Sequence, residues 1–261
     1  FMVTHTQKLS GQEITLCLLA GLLTSLAFSD MGWLAWFGFI PYFLVLYRRE
    51  PLWKPYFKAS FFFGMAFYVG IMHWLPELHP LTWIPGINHV TSLLIVYGGI
   101  LFVSLIVSTW IWLFGILLAF LKPQGLYCIF YPALLWVIIE WIQGLGDASL
   151  PWARLAVSQY QDLALLQIVH LTGSILIGGL MVLWNSALAL FILEIIETPQ
   201  FPFWKQKAFK TVAVLLVLLG TLHIYGAIRL NQASLQGKPF MAAIAQGNIS
   251  QAEKWANTPE E

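Results

Sequence analysis

Residues 90–121 read VTSLLIVYGGILFVSLIVSTWIWLFGILLAFL, an apolar run without one Asp, Glu, Lys or Arg. Such a run demands a helix in hydrocarbon, because a bilayer core takes roughly 20 residues of helix, range about 17–25. At 1.5 Å per residue, these 32 residues reach about 48 Å. The segment must therefore tilt strongly, protrude or break.

Six further apolar runs surround it. They cover about residues 14–28, 33–47, 59–75, 126–142, 163–193 and 211–228. The first two are short and fit a tightly joined hairpin, with Pro41 inside the second. The run at 163–193 is again too long for an upright helix. Thr172-Gly173 is where it is expected to break, leaving residues 161–171 as an interfacial piece. The expected fold class is an all-α polytopic membrane domain of about seven transmembrane helices.

Composition agrees. Hydrophobic residues make up 59% of the chain and charged residues 10%, and the mean hydropathy is +0.76. Average soluble domains carry about 25% charged residues, so this chain could not cover a water-facing surface of its size. Thirteen Trp, nine Tyr and 19 Phe suit a protein with many membrane–water interfaces. The net charge of +1 says nothing about nucleic acid, but the sequence holds no basic run of the needed density, and no nucleic-acid partner is expected. Two cysteines, Cys17 and Cys128, both in apolar stretches, exclude a disulfide framework. Neither sits in the electropositive, wet setting that a reactive thiolate needs, so both read as small helix-facing residues. The first apolar segment, flanked by Lys8 and Glu13, lacks a small-residue cleavage site and reads as a retained helix. Phe1 precedes Met2, so the sequence is expected to be a fragment at this end.

Lys and Arg orient the chain. With the N-terminus in the cytoplasm, the inner segments hold Lys8, Arg48, Arg49, Lys54, Lys58, Lys122, Lys205, Lys207 and Lys210. The outer side holds Arg154, Arg229, Lys238 and Lys254, and the loop at 76–89 holds no Lys or Arg. This is a strong positive-inside asymmetry. Seven spans then deliver the C-terminal tail outside, which in a bacterium with two membranes is the periplasm.

That tail differs from everything before it. After Gly237-Lys238-Pro239 comes an apolar run at 240–245, then Gln246-Gly247-Asn248-Ile249-Ser250-Gln251. A short apolar run bounded by Pro and Gly reads as a buried strand of an α/β sheet, and residues 250–255 can begin a helix. A disordered stub is the competing reading. The expected division is a helical domain over 1–236 and, over 237–261, the first strand of a soluble domain cut short at Glu261.

Chemistry-bearing residues are few. Glu140, near the outer end of the fifth span, is either a helix–helix hydrogen-bonding group or a polar anchor at the rim of an outward-facing site. Glu194 and Glu197 read as a solvated helix end. His73 and His79 flank Trp74 and Glu77, but the spacing matches no zinc motif, so no metal is expected. His170 and His223 read as core histidines with a hydrogen-bonded nitrogen. The segment Leu150-Pro151-Trp152-Ala153-Arg154 is a shaped interfacial loop with a Trp anchor. Phosphate loops, nucleophile elbows and two-histidine zinc helices are missing from the sequence, and no cofactor is expected.

Four stretches, in order, make the chain resemble the bacterial apolipoprotein N-acyltransferases. They are His73-Trp74-Leu75; Pro132-Ala133-Leu134-Leu135-Trp136 leading to Glu140-Trp141-Ile142-Gln143-Gly144; Leu150-Pro151-Trp152 with Ser158-Gln159; and Ala245-Gln246-Gly247-Asn248-Ile249-Ser250-Gln251 with Lys254-Trp255. The family commonly has Arg where this chain has Gln143, and Gly-Tyr where it has Ala156-Val157. The resemblance implies that the tail opens a periplasmic nitrilase-like domain of an enzyme of the inner membrane. That enzyme moves an acyl chain from a phospholipid, through a cysteine thioester, to the α-amine of a lipoprotein's diacylglyceryl cysteine. A glutamate serves as base and a lysine steadies the oxyanion. In the family all three lie downstream of the lysine–tryptophan pair, so no catalytic residue is expected here and the fragment alone is expected to be inactive. Trp255 matches a family tryptophan that shapes the site. With Trp74, Trp152 and Glu140 it completes the expected substrate-side set, and the loops at 76–89 and 147–161 are expected to line a lipid entrance. Two other classes fit the bare sequence: a non-catalytic polytopic protein such as a transporter or scaffold, and the membrane subunit of a split enzyme.

Overall fold

A computed structural model describes residues 8–146, 150–232, 241–249 and 254. Every regular element in those residues is helical: α1 Gly11–Leu26, α2 Ile40–Tyr47, α3 Trp53–Ile71, α4 His89–Leu121 and α5 Tyr127–Ile142, then the single turns α6 Leu163–Leu166 and α7 Val169–Thr172, then α8 Ser174–Glu197 and α9 Lys207–Gln232. Short 3₁₀ turns at Gly32–Trp36, Leu75–Leu78, Leu155–Gln159 and Phe203–Lys205 occupy the connections.

By length and apolarity, α4, α8 and α9 can each cross a membrane. The helix α4 runs unbroken for 33 residues, roughly 50 Å, so it tilts or protrudes rather than breaking. The long run at 163–193 does break where expected. Gly173 (φ +74°) ends α7, and α8 begins at the next residue. A side chain there would meet the left-handed penalty that glycine escapes. The second apolar run is shorter as a helix than as a pattern. Pro41 sits in the first turn of α2, where its missing N–H costs nothing, and a 3₁₀ turn precedes it.

Local chemistry sets the other ends. Ser10 and Glu13 form a reciprocal capping box on α1, with Ser10 N–H donating to Glu13 Oε2 at 2.7 Å and Glu13 N–H to Ser10 Oγ at 3.3 Å. Arg49 then grips the same carboxylate through Nε (2.7 Å) and Nη2 (2.5 Å), tying the end of α2 to the start of α1. Burial opposes ionisation of Glu13, but the hydrogen bonds from Arg49 and Ser10 outweigh it and hold the carboxyl below its usual range. Pro132 lies inside α5 and cannot bond the carbonyl four residues back. That carbonyl, on Cys128, instead accepts the Tyr47 hydroxyl at 2.5 Å. In hydrocarbon a carbonyl freed by proline needs such a partner.

The centre is aromatic. Phe39, Tyr42, Phe63, Phe114 and Trp136 are buried together, with ring centroids 4.7 Å apart for Tyr42–Phe63 and 5.1 Å for Phe39–Trp136. Against this core α3 packs on α1 and α4, and α8 packs on α5 and α2. Cys17 and Cys128 are buried and free, as small packing residues.

Described residues 241–249 form neither helix nor strand and are exposed, Ile244 at 94%. A strand needs a paired neighbour, and none exists among the described residues. Phe240 and most of residues 250–255, where the strand was expected to begin and a helix to follow, lie outside them.

Candidate functional site

At the end of the bundle away from Lys122 and Arg49, two loops are cross-linked by side chains far apart in sequence. Trp36 Nε1 donates to Gln159 Oε1 at 3.0 Å, and Gln159 Nε2 donates to the Gly32 carbonyl at 2.7 Å and to Ser158 Oγ at 2.9 Å. The Tyr160 hydroxyl donates to Asp30, and Gln161 Nε2 reaches the same oxygen at 3.2 Å. The hydrogen bond to the Asp30 carboxylate pushes the exposed Tyr160 phenol up. Below, Asn185 of α8, fully buried, accepts the Phe39 N–H at 3.1 Å and donates to the Ala35 carbonyl at 2.9 Å. That one amide satisfies backbone groups at the junction preceding α2, which no helix ladder serves.

Glu140 stands beneath this rim, 2% exposed. Its Oε1 accepts the Trp136 Nε1–H at 2.9 Å and the Leu155 N–H at 3.1 Å, so it holds the loop to the end of α5. Its Oε2 finds no partner among the described residues and lies against Gly178, where a Cβ would stand 3.0 Å away. Arg154 closes the end of α5 through Nη2 on the Glu140 carbonyl at 3.4 Å. A cation at a helix C-terminus meets the negative end of its dipole. The position at which the resembled family has Arg is Gln143, buried at 6%.

Of the four expected substrate-side residues, Glu140 and Trp152 belong to this loop assembly. Trp152 is 40% exposed. Trp74 is 49% exposed and stands on a different structure, the segment after α3 that packs Met72 and Leu81 onto Val96 and Ile100 of α4. Trp255 lies outside the described residues. His79 is taken up in that segment: its Nδ1 bonds Ser92 Oγ at 2.7 Å, and the same oxygen accepts the Leu81 N–H at 2.9 Å. Ser92 is buried, so the pair ties a loop and presents no nucleophile. The core placement expected for two histidines is corrected. His170 is exposed and hydrogen-bonds the Tyr225 hydroxyl at 3.3 Å, while His223, 42% exposed at its side chain, bonds Asp162 at 2.8 Å. Both keep a hydrogen-bonded nitrogen. Asn185, Trp36 and Asp162 had no local signal in the sequence.

Helices long and apolar enough to cross a membrane, packed with shorter apolar helices, define a helical membrane domain. Residues 20–187 match the apolipoprotein N-acyltransferase N-terminal domain, and the chain belongs to that family. An apolipoprotein N-acyltransferase of Gloeobacter violaceus is 33% identical over 92% of this chain and 43% of its own length. One from Geobacter metallireducens is 31% identical over 94% of this chain and 45% of its own. The chain thus spans a little under half the length of these curated relatives.

Proposed function

We propose that this chain is the membrane platform of an apolipoprotein N-acyltransferase of the bacterial inner membrane. The observation that carries the reading is the pattern of coverage: relatives of that name match more than nine-tenths of this chain with under half of themselves. On this reading seven spans run from a cytoplasmic N-terminus, and residues 237–261 begin a periplasmic nitrilase-like domain. The glutamate, lysine and cysteine of acyl transfer belong to that domain, outside these 261 residues. The donor is a phospholipid and the acceptor a diacylated lipoprotein.

The physics of the substrates supports such a division. Pulling an acyl chain from the bilayer costs about 0.8 kcal/mol per CH₂. A catalytic domain held at the headgroup level meets both lipids without that cost, and holding them together is catalysis by proximity. The rim that Glu140 fastens, with Trp152 on it, is then a substrate-facing edge of the platform, and Trp74 and Trp255 are proposed to serve the same substrates.

The test is transfer from phospholipid to a diacylated lipopeptide in proteoliposomes. The 261-residue chain is expected to give background. Joined in frame to the remaining residues of the Gloeobacter violaceus relative, it is expected to give transfer, reduced several-fold by Trp152→Ala. Transfer by the chain alone overturns the division of labour. A folded but silent chimera overturns the platform reading.

A further inference from the structure

A cavity of about 900 Å³ lies where the proposed function makes no use of it. It is a groove between α5, α8 and α9, walled by Leu134 and Val137, Gly179 and Leu183, Leu218 and Leu222. Of its described residues α9 buries only Ala208, Val212, Leu215 and Gly226, and specific contacts hold it toward both ends. Near its start, Ala208 N–H donates to Glu194 Oε2 at 2.8 Å. Toward its other end, His223 bonds Asp162, and Gly226 packs so closely on Ala164 that a Cβ would stand 1.8 Å from the carbonyl oxygen.

We propose that this groove holds one acyl chain of a bilayer phospholipid, with the glycerol end of that lipid at Tyr225 and His170. Three observations carry it. First, the walls offer almost no hydrogen bonding, since the Thr172 and Thr221 hydroxyls are spent on the Ile168 and Val217 carbonyls at 3.2 and 2.8 Å. Water and polar ligands gain nothing there. Second, the groove is elongated: its α5 wall runs from Tyr127 to Val137, and its α8 wall continues from Gly179, which meets Val137, past Leu176 to Thr172, together about 25 Å at 1.5 Å per residue, within a hydrocarbon core of roughly 30 Å. Third, the mouth beside Thr172 carries polar groups: the Tyr225 hydroxyl bonds His170 Nε2 at 3.3 Å, and His170 is exposed. A tyrosine at this level is an interfacial residue able to donate to an ester or phosphate oxygen. The proposal does not depend on where the acyl-transfer chemistry lies.

The test uses the full chain in lipid nanodiscs containing a phosphatidylglycerol with a photoactivatable diazirine midway along one acyl chain. After irradiation, labelled peptides are mapped by mass spectrometry. Labelling of the groove walls is expected to exceed that of the lipid-facing side of α4, around Leu94 and Phe102, at least about three-fold. Leu222→Trp and Leu218→Trp, which fill the groove from the sparsely buried helix, are expected to remove that excess and leave α4 labelling unchanged. The unchanged α4 pattern is also the check that the variants fold. Tyr225→Phe with His170→Ala is expected to lower groove labelling about two-fold. Equal labelling of groove and α4 means ordinary surrounding lipid and overturns the proposal. An unlabelled groove, or one cross-linked to a second copy of the chain, overturns it as well.

Discussion

The helices α8 and α9 are near twins in sequence terms, 24 and 26 residues long and almost equally apolar, yet they live differently. In the most apolar stretch of α8, 61% of residues are buried; in that of α9 the share is 17%. Apolarity therefore does not decide which helix enters the core. In lipid it cannot, because the surrounding chains are as apolar as leucine. What α8 has is small and polar residues: Gly178, Gly179, Asn185, Ser186, Ala187 and Ala189, all buried. These admit α5 at close range and offer hydrogen bonds across the interface. The side chains that α9 turns outward include Val214, Leu216, Val217 and Ile224, which suit lipid.

The sharpest way to break this contrast is Asn185→Leu, which makes α8 more apolar and should make it less bound. The substitution strands the Phe39 N–H and the Ala35 carbonyl, both buried at the start of α2. Each buried group left unsatisfied costs about 1–3 kcal/mol, so roughly 2–5 kcal/mol of destabilisation is expected in denaturant unfolding in detergent micelles. If apolarity held α8 in place, stability would rise instead.

This asymmetry also explains what could be read in advance. Apolar runs are local, and so is the break at Gly173, where a single residue type announces a backbone conformation. Pro41 was visible, but the fact that it starts α2 rather than bending a longer helix depends on what Asn185 satisfies 146 residues later. The Gln159–Gly32 and Tyr160–Asp30 bonds, 127 and 130 residues apart, likewise leave no periodicity to find. Glu140 stood out because a carboxylate in an apolar helix is costly, though its partner, a backbone N–H at Leu155, could not be named from residue types. The expectation of one entrance lined by two loops rested on both lying outside. The segment around Trp74 is built on α4 and the one around Trp152 on α5, and sequence order alone carries no such information.

A second variant pair tests whether hydrogen bonding rather than charge binds the loop to the α5–α8 pair. Glu140→Ala removes the acceptor shared by Trp136 and Leu155 and is expected to cost about 2–4 kcal/mol from two unsatisfied donors. It should also speed amide exchange of residues 150–160 relative to α5. Glu140→Gln keeps an oxygen for both donors and is expected to change stability by less than about 1 kcal/mol. Equal losses in the two variants would show that a negative charge beside Arg154 is what matters.

The smallest effect belongs to α9, and it bears most directly on the comparison. Gly226→Leu cannot be accommodated where a Cβ already meets the Ala164 carbonyl at 1.8 Å, so α9 must move away from α6. In α8 a clash of this kind would be expected to damage the core, because buried neighbours on three sides cannot yield. In α9 most of the surface faces outward, and the helix can swing about its attachment at Glu194 and Ala208. The expected result is local: faster amide exchange in residues 163–172 and 219–229, loss of the His223–Asp162 contact, and global stability altered by less than about 1 kcal/mol, within the range of surface substitutions. If exchange instead accelerates throughout α5 and α8, then α9 is as much a part of the core as its twin. The burial difference would in that case not measure how tightly each helix is held.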